Sequence, residues 1–340
     1  MPTIRDIAKA ANVSPATVSK ALGHAGDINE ETAERVRTIA AQMGYHMDRL
    51  RRATKSNHLV GVIVPELNSS YYCAIYESFS RIMEAHGYRV LTITTDFTSP
   101  EKEWEHLAFL LSMPVSGILY LTENETPPKP LRTRARMENT PLVMITHMQN
   151  IDFCDVVGVN HFLGVRLALA QLYRDGHRKI AFLGEEKTEL RRKAFCRYRE
   201  ELGLMGSADT GYVVIERTRS CEAGYHGAKK LLALPPEVRP TACVCAYDHI
   251  AYGAMRAFFE AGVRVPEEMS VIGINNTDIS PFLTCALTSV EMPAAEVGRA
   301  AADLLYARMR GDTAPYRTTF YHPRLCLRES HGKCTPRDTK

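Results

Sequence analysis

Residues 3–22 read TIRDIAKAANVSPATVSKAL, and the reading of the whole 340-residue chain turns on them. Ile4, Ile7, Ala8 and Ala11 recur at helical spacing and make one apolar stripe. Thr3 ahead of the stripe, with Asp6 three residues on, fits a capping box. The stripe breaks at Ala11-Asn12-Val13. Asparagine tolerates a left-handed backbone, so Asn12 suits a tight turn. Ser14 then caps a second helix, with Pro15 at its first position, where a missing N–H costs nothing. Val18, Ala21 and Leu22 give this helix a short apolar face and leave Pro15, Ala16, Thr17, Ser19 and Lys20 pointing elsewhere.

Two short helices joined by a tight turn, the second with a small polar outer face, describe a helix-turn-helix. Such a second helix fits the major groove of DNA with its N-terminal residues at base edges. On that reading Pro15, Ala16 and Lys20 face the bases, Lys20 donating to guanine and Ala16 touching a thymine methyl. Ser14, Thr17, Ser19, Asn29 and Thr32 hold phosphates. The same pattern also occurs as plain scaffold, so pattern alone leaves the two readings level.

The charge distribution leans toward DNA. The first 58 residues hold nine Lys/Arg against six Asp/Glu, and the remainder balances, so the net charge of +3 sits at the end proposed to meet phosphates. Hydrophobic content of 45% is ample for a core, and the length suggests two or three domains. No apolar run approaches a membrane span and MPTIRDIAKA has no apolar secretory region, so a cytoplasmic protein is expected. The nine cysteines are scattered with no C-x-x-C, which reads as reduced, mostly buried thiols rather than a disulfide framework or metal site. No cofactor is called for.

Asn29 caps a third helix whose buried face is Val36, Ile39, Ala40 and Met43, with Gly44 ending it. Residues 46–58, HMDRLRRATKSNH, form a polar basic linker. From Leu59 onward apolar runs alternate with helical stretches. Strands are expected at 59–65, 89–94, 117–121, 142–146, 155–159, 178–183, 212–215, 242–246 and 270–274; helices at 71–86, 101–112, 161–175, 191–202, 222–233, 248–261 and 293–310. Strand–helix alternation of this kind means doubly wound α/β sheets, and the number of units exceeds one sheet, so two lobes are expected behind an all-α head.

The residues say more than the pattern. T-I-x-D-I-A-x-x-A-x-V-S-x-x-T-V-S-x-x-L at the N-terminus resembles the lactose/galactose repressor family of bacterial regulators. The resemblance continues through Gly164 and Ala168, H-x-K-I-A-F-L-G at 177–184, L-T-S-V-x-x-P-x-x-x-x-G at 287–298, and Pro323-Arg324-Leu325 with Arg328 and Ser330. It covers about residues 3–330 and implies two similar lobes like periplasmic sugar-binding proteins, crossed by three linkers. The division expected is a helix-turn-helix domain at 1–45, a hinge at 46–58, one lobe at 59–160 with 291–320, a second at 161–290 with 321–330, and a disordered tail at 331–340. The family's hinge helix enters the minor groove and wedges a Leu between base steps. Thr54 stands where that Leu is expected, so either Leu50 substitutes as the wedge or charge alone grips the operator centre.

The resemblance also points to a ligand cleft at the carboxyl ends of the strands. Tyr71 and Tyr72 match a family aromatic against the effector ring, although both also suit the core of the following helix. Asp96, Thr146 and His147 follow strands, and His147 stands where many relatives carry an acid. Arg191, with Arg192 its competitor, matches a family arginine that grips a hydroxyl pair or carboxylate. Tyr247 replaces an Asn ahead of Asp248, and Asn275 replaces an Asp that usually accepts sugar hydroxyls. Trading acids for Asn and His favours a ligand with an anionic group; a neutral sugar stands level with it. The function implied is a homodimeric regulator, a repressor, that binds a near-palindromic operator under control of a sugar or sugar derivative. A solute-binding protein without a DNA role is the alternative. An enzyme is disfavoured, since no G-x-G-x-x-G follows a strand and no Walker motif occurs.

Overall fold

The computed structural model describes residues 4–23, 29–43, 58–133, 140–204 and 212–334. The head holds three helices: α1 (Ile4–Ala11), α2 (Pro15–Gly23) and α3 (Glu30–Gln42). Their shared core is small. Ile7, Val18 and Val36 are fully buried, and Ala8, Ala11, Ala21, Ala33 and Ala40 close around them. Asn12 sits in the left-handed region at φ 52°, so the turn between α1 and α2 forms where the sequence allows it. Ser14 Oγ accepts from the Thr17 amide at 3.0 Å, and Asn29 Oδ1 accepts from the Glu31 amide at 3.0 Å. Both cap their helices as expected. The proposed Thr3 cap and the Gly44 stop lie outside the described residues.

Two six-stranded sheets follow. The first is built from β1 (Leu59–Val64), β2 (Arg89–Thr94), β3 (Gly117–Leu121), β4 (Leu142–Ile145), β5 (Asp155–Val159) and β11 (Thr318–Tyr321), in the order β11-β5-β4-β3-β1-β2. The second holds β6 (Ile180–Glu185), β7 (Val213–Glu216), β8 (Ala242–Cys245), β9 (Ser270–Ile274), β10 (Thr288–Glu291) and β12 (Arg324–Cys326), in the order β12-β10-β9-β8-β6-β7. All pairings are parallel except β10 with β12. Strands β1, β3, β4, β5, β6, β8 and β9 are almost wholly buried, because helices cover both faces; this is why they read as unbroken apolar runs.

The covering helices are α4 (Ser70–Ala85), α5 (Pro100–Ser112), α6 (His161–Arg174), α7 (Glu189–Glu201), α8 (Ser220–Leu232), α9 (Asp248–Glu260) and α10 (Ala294–Met309). The chain passes between the sheets three times, after β5, after β10 and after β11. The α/β class read from strand–helix alternation is what the structure contains. The α8 and α9 backbones touch: a Cβ at Gly224 would lie 1.8 Å from the Ile250 carbonyl oxygen, and one at Gly253 would lie 1.7 Å from that of Cys221.

One expectation is overturned at the C-terminus. Residues 331–334 are held against the second sheet rather than starting a disordered tail. The Gly332 amide donates to Ser270 Oγ at 3.1 Å, His177 Nε2 lies 3.0 Å from the Gly332 carbonyl, and the Cys334 amide donates to the Asp175 carbonyl at 2.8 Å. Polar composition hid this order because backbone groups, not apolar side chains, make the attachment.

Candidate functional site

The head core fixes the angle at which α2 is presented. Ser14, Pro15 and Ala16 are exposed together at the N-terminal end of α2. Thr17 is half-buried, and its hydroxyl lies 2.8 Å from Ser14 Oγ. Asn29 is exposed and Thr32 half-buried at the start of α3. The side chains of Ser19 and Lys20, and all of Leu50 and Thr54, lie outside those described.

The second candidate site is a cleft between the sheets, at the carboxyl ends of their strands, with about 180 Å³ open to water-sized molecules. The first sheet supplies an aromatic wall. Tyr71 and Tyr72 meet edge-on at 5.3 Å between ring centroids, and Phe97 continues the wall 6.1 Å from Tyr72. Tyr72 Oη donates to Glu123 Oε1 at 2.7 Å. Burial first, and the Glu123 charge second, hold both tyrosine hydroxyls well above their ordinary pKa, so they stay protonated donors.

The second sheet supplies most of the polar groups. Arg191 donates to the Ala246 carbonyl and, at 3.0 Å, to Asn275 Oδ1. Glu185 accepts from the Lys187 amide at 3.1 Å and from Tyr247 Oη at 3.4 Å. Burial and then Glu185 push the Tyr247 hydroxyl up to about 12. His161 opens α6 at the first crossing between lobes; burial, then Arg191 and His147, hold its pKa well below the ordinary value, so the imidazole is neutral. Its Nδ1 is buried without a hydrogen-bond partner among the described residues.

Two ion pairs cross the cleft. Arg219, just past β7, grips Glu66, just past β1, at 3.0 and 3.2 Å, and its guanidinium lies 4.7 Å from the Phe97 ring centroid. Lys193 reaches Glu125 at 2.7 Å. Phe97, Ser220 and Asn275 adopt φ of 55°, 60° and 110°, and all three line the cleft. Left-handed backbone at non-glycine residues is costly and clusters where geometry is being held for a purpose.

Of the nine residues expected to face a ligand, Tyr71, Tyr72, Arg191, Tyr247 and Asn275 line this cleft; Asp96, Thr146, His147 and Asp248 do not. Asp248 is fully buried, and its carboxylate accepts from Ser280 Oγ at 2.6 Å, Ser289 Oγ at 2.5 Å and the Thr277 amide at 2.8 Å. It anchors the loop that carries Asn275 instead of meeting the cleft. Thr146 Oγ1 turns inward to accept from the Met148 amide at 3.3 Å. Asp96 is spent in the turn after β2, its amide donating to the Pro65 carbonyl at 2.8 Å, and the buried His147 Nδ1 has no partner among the described residues.

The lining also contains Glu66, Phe97, Glu123, His161, Glu185 and Arg219, which motif matching passed over. Each lies at or just beyond the carboxyl end of a strand, and that position was the available signal. Three glutamates face Lys187, Arg191 and Arg219, so the lining's formal carboxylate and Lys/Arg charges cancel. The expectation of a cleft depleted in acid does not hold.

A helix-turn-helix head in front of two linked α/β lobes with a polar, aromatic-walled cleft is the build of a DNA-binding regulator. Residues 3–48 match the family model for bacterial regulatory proteins of the lacI family, and residues 169–331 match that for a periplasmic binding protein-like domain. The HTH-type transcriptional repressor PurR of Salmonella paratyphi A is 30% identical over 336 residues, with 97% of each chain covered. A LacI family transcriptional regulator from Lactobacillus casei, solved with bound glucose, is 25% identical with a TM-score of 0.69, covering 80% of this chain and 99% of that one. The lac repressor dimer bound to operator and the anti-inducer ONPF shares the fold at 23% identity and a TM-score of 0.70, covering 97% of this chain and 99% of that one. The chain belongs to the lacI family of bacterial transcription regulators. It is a DNA-binding regulator whose relatives are repressors, not enzymes. Among the described residues no helix is long and apolar enough to cross a membrane.

Proposed function

We propose that the protein is a homodimeric repressor whose operator affinity is set by a carbohydrate-like effector held in the cleft. The observation that carries the reading is the cleft lining itself: an aromatic wall of Tyr71, Tyr72 and Phe97 opposite Arg191, Glu185 and Asn275. Aromatic faces suit the C–H face of a sugar ring, and convergent carboxylates, amides and guanidinium suit its hydroxyls. The Lactobacillus casei relative with bound glucose supports a sugar.

The lining comes from both lobes, so a ligand that touches both favours one lobe arrangement over another. That differential contact is what couples a cleft to a distant head. In the head, Ser14, Pro15 and Ala16 form the exposed N-terminal end of α2. On this reading Pro15, Ala16 and Lys20 read base edges, and Ser14, Thr17, Ser19, Asn29 and Thr32 hold phosphates. In-vitro selection of DNA on the full chain tests the head: a near-palindromic consensus is expected, whose affinity falls steeply with salt. Selection that returns no consensus contradicts it.

A further inference from the structure

The cleft holds formal carboxylate and Lys/Arg charges that cancel in sum but not in place. Glu66 is matched by Arg219 at 3.0 and 3.2 Å, and Glu185 lies 3.9 Å from the same guanidinium. Among the described residues Glu123 has no cation within ion-pair distance. Its Oε1 accepts from Tyr72, and its Oε2 has no partner among the described residues while the residue lines the cleft. On the opposite lobe Arg191 spends two donors on the neutral acceptors Ala246 O and Asn275 Oδ1, and among the described residues it has no carboxylate hydrogen-bond partner.

Glu123 is also rigidly placed. It follows β3 on a turn pinned on both sides: Thr122 Oγ1 donates to the buried Glu103 at 2.9 Å, the Asn124 amide donates to Thr122 Oγ1 at 3.1 Å, and Asn124 Nδ2 reaches the Thr98 carbonyl at 3.1 Å. Glu125, next in the turn, is tied across the cleft to Lys193. The turn fixes the Glu123 backbone, and the bond from Tyr72 holds its carboxylate at the cleft wall. A partly shielded, unmatched carboxylate repels an anionic group and rewards a donor.

Resting on the carbohydrate-like reading of the same cleft, we infer that Glu123 is its specificity-determining residue: the effector presents a hydrogen-bond-donating, non-anionic group to Glu123 Oε2 while an accepting atom meets Arg191. The shared chemistry at Glu123 is donation. A hydroxyl pair and a protonated amine both supply it, and a carboxylate or phosphate does not. The sequence alone left an anionic ligand and a neutral sugar level, and Glu123 weighs against an anionic group at this end of the ligand.

The experiment is calorimetry on the full-length protein with D-glucose, D-glucosamine and D-glucuronate, repeated on Glu123→Gln and Tyr72→Phe. Melting without ligand establishes that both variants fold. The expected result is that D-glucose or D-glucosamine binds and D-glucuronate binds at least tenfold more weakly. Glu123→Gln should lose about tenfold or more for the binder and narrow the gap to D-glucuronate, because a charged acceptor has become a neutral one. A larger loss for D-glucosamine than for D-glucose identifies the amine as the better donor. Tyr72→Phe, which keeps the charge and frees its oxygen, should cost less than Glu123→Gln. D-glucuronate binding best, or a Glu123→Gln variant that binds D-glucose unchanged, overturns the inference and leaves the carbohydrate reading standing. If none of the three sugars binds, both fall.

Discussion

Arg219 and Glu66 come from different sheets and meet across the cleft through two hydrogen bonds, 3.0 and 3.2 Å long. The Glu66 side chain is 13% exposed and that of Arg219 37%, so the pair is only partly shielded from water. A bidentate pair in this position clamps the two lobes against each other and positions Phe97 beneath the guanidinium.

Arg219→Gln should therefore loosen the closed cleft. The pair is worth about 1 kcal/mol, the upper part of the range for solvent-reachable ion pairs, which moves a balanced open–closed equilibrium by about fivefold. Small-angle scattering in the absence of ligand should show a larger radius of gyration for Arg219→Gln and for Glu66→Gln. The double variant should be no more open than either single one, because each removes the same interaction.

The head separates stability from DNA contact at one residue. Ser14→Ala removes the cap that holds the Thr17 amide and should cost about 1 kcal/mol of local stability, visible as faster amide exchange in α2. Ser14→Asp keeps a capping oxygen and should restore the exchange rate. It also aims a negative charge toward the proposed phosphate position, so operator affinity should fall well below that of Ser14→Ala.

Acid should weaken the fold through two histidines. Burial lowers the pKa of His161 and of His177, so both are neutral in the folded chain. Unfolding lets them take up protons near the ordinary value of about 6.5, which means the unfolded state binds more protons below that pH and stability falls as pH drops from about 6.5 toward 5. Asp248 and Glu103, whose carboxyls burial raises, act with the opposite sign at the lower end. The decisive comparison is therefore between chains: His161→Asn should lose less melting temperature than wild type between pH 7 and pH 5.5.

The contact between α8 and α9 has no room for a side chain. Gly224→Ala puts a methyl where the Ile250 carbonyl oxygen lies 1.8 Å away, backbone that cannot step aside as a flexible side chain would. A loss of about 1–3 kcal/mol is expected from such overpacking, measured as a lower denaturant midpoint. Because Arg219 and Ser220 sit at the head of α8, the same change should also weaken sugar binding.

Most of the architecture was written in periodicity. Buried parallel strands such as β1 and β8 have no polar face, so they stand out as apolar runs, and Asn12, Ser14, Pro15 and Asn29 marked the helix ends of the head. The short strands β10 and β11 did not stand out: Thr318–Tyr321 is half exposed and Thr288–Glu291 mixes polar with apolar residues, so tertiary pairing rather than pattern defines them, while β12 was marked by the family motif at Pro323-Arg324-Leu325. The cleft was legible in part. Tyr71 and Arg191 match family motifs. Glu123 and Arg219 carry no motif and owe their place to the strand ends they follow. Asp248 misled because a motif names a residue without showing which way it turns; three local donors draw its carboxylate into the core.

The most direct measurement is operator affinity of the full chain, by fluorescence anisotropy on the selected DNA, with and without saturating D-glucose or D-glucosamine. A sugar that binds the cleft should change operator affinity by about fivefold or more, the usual scale of coupling between two sites on one chain. Operator affinity that stays the same with a cleft-bound sugar would contradict the claim that the cleft controls the head.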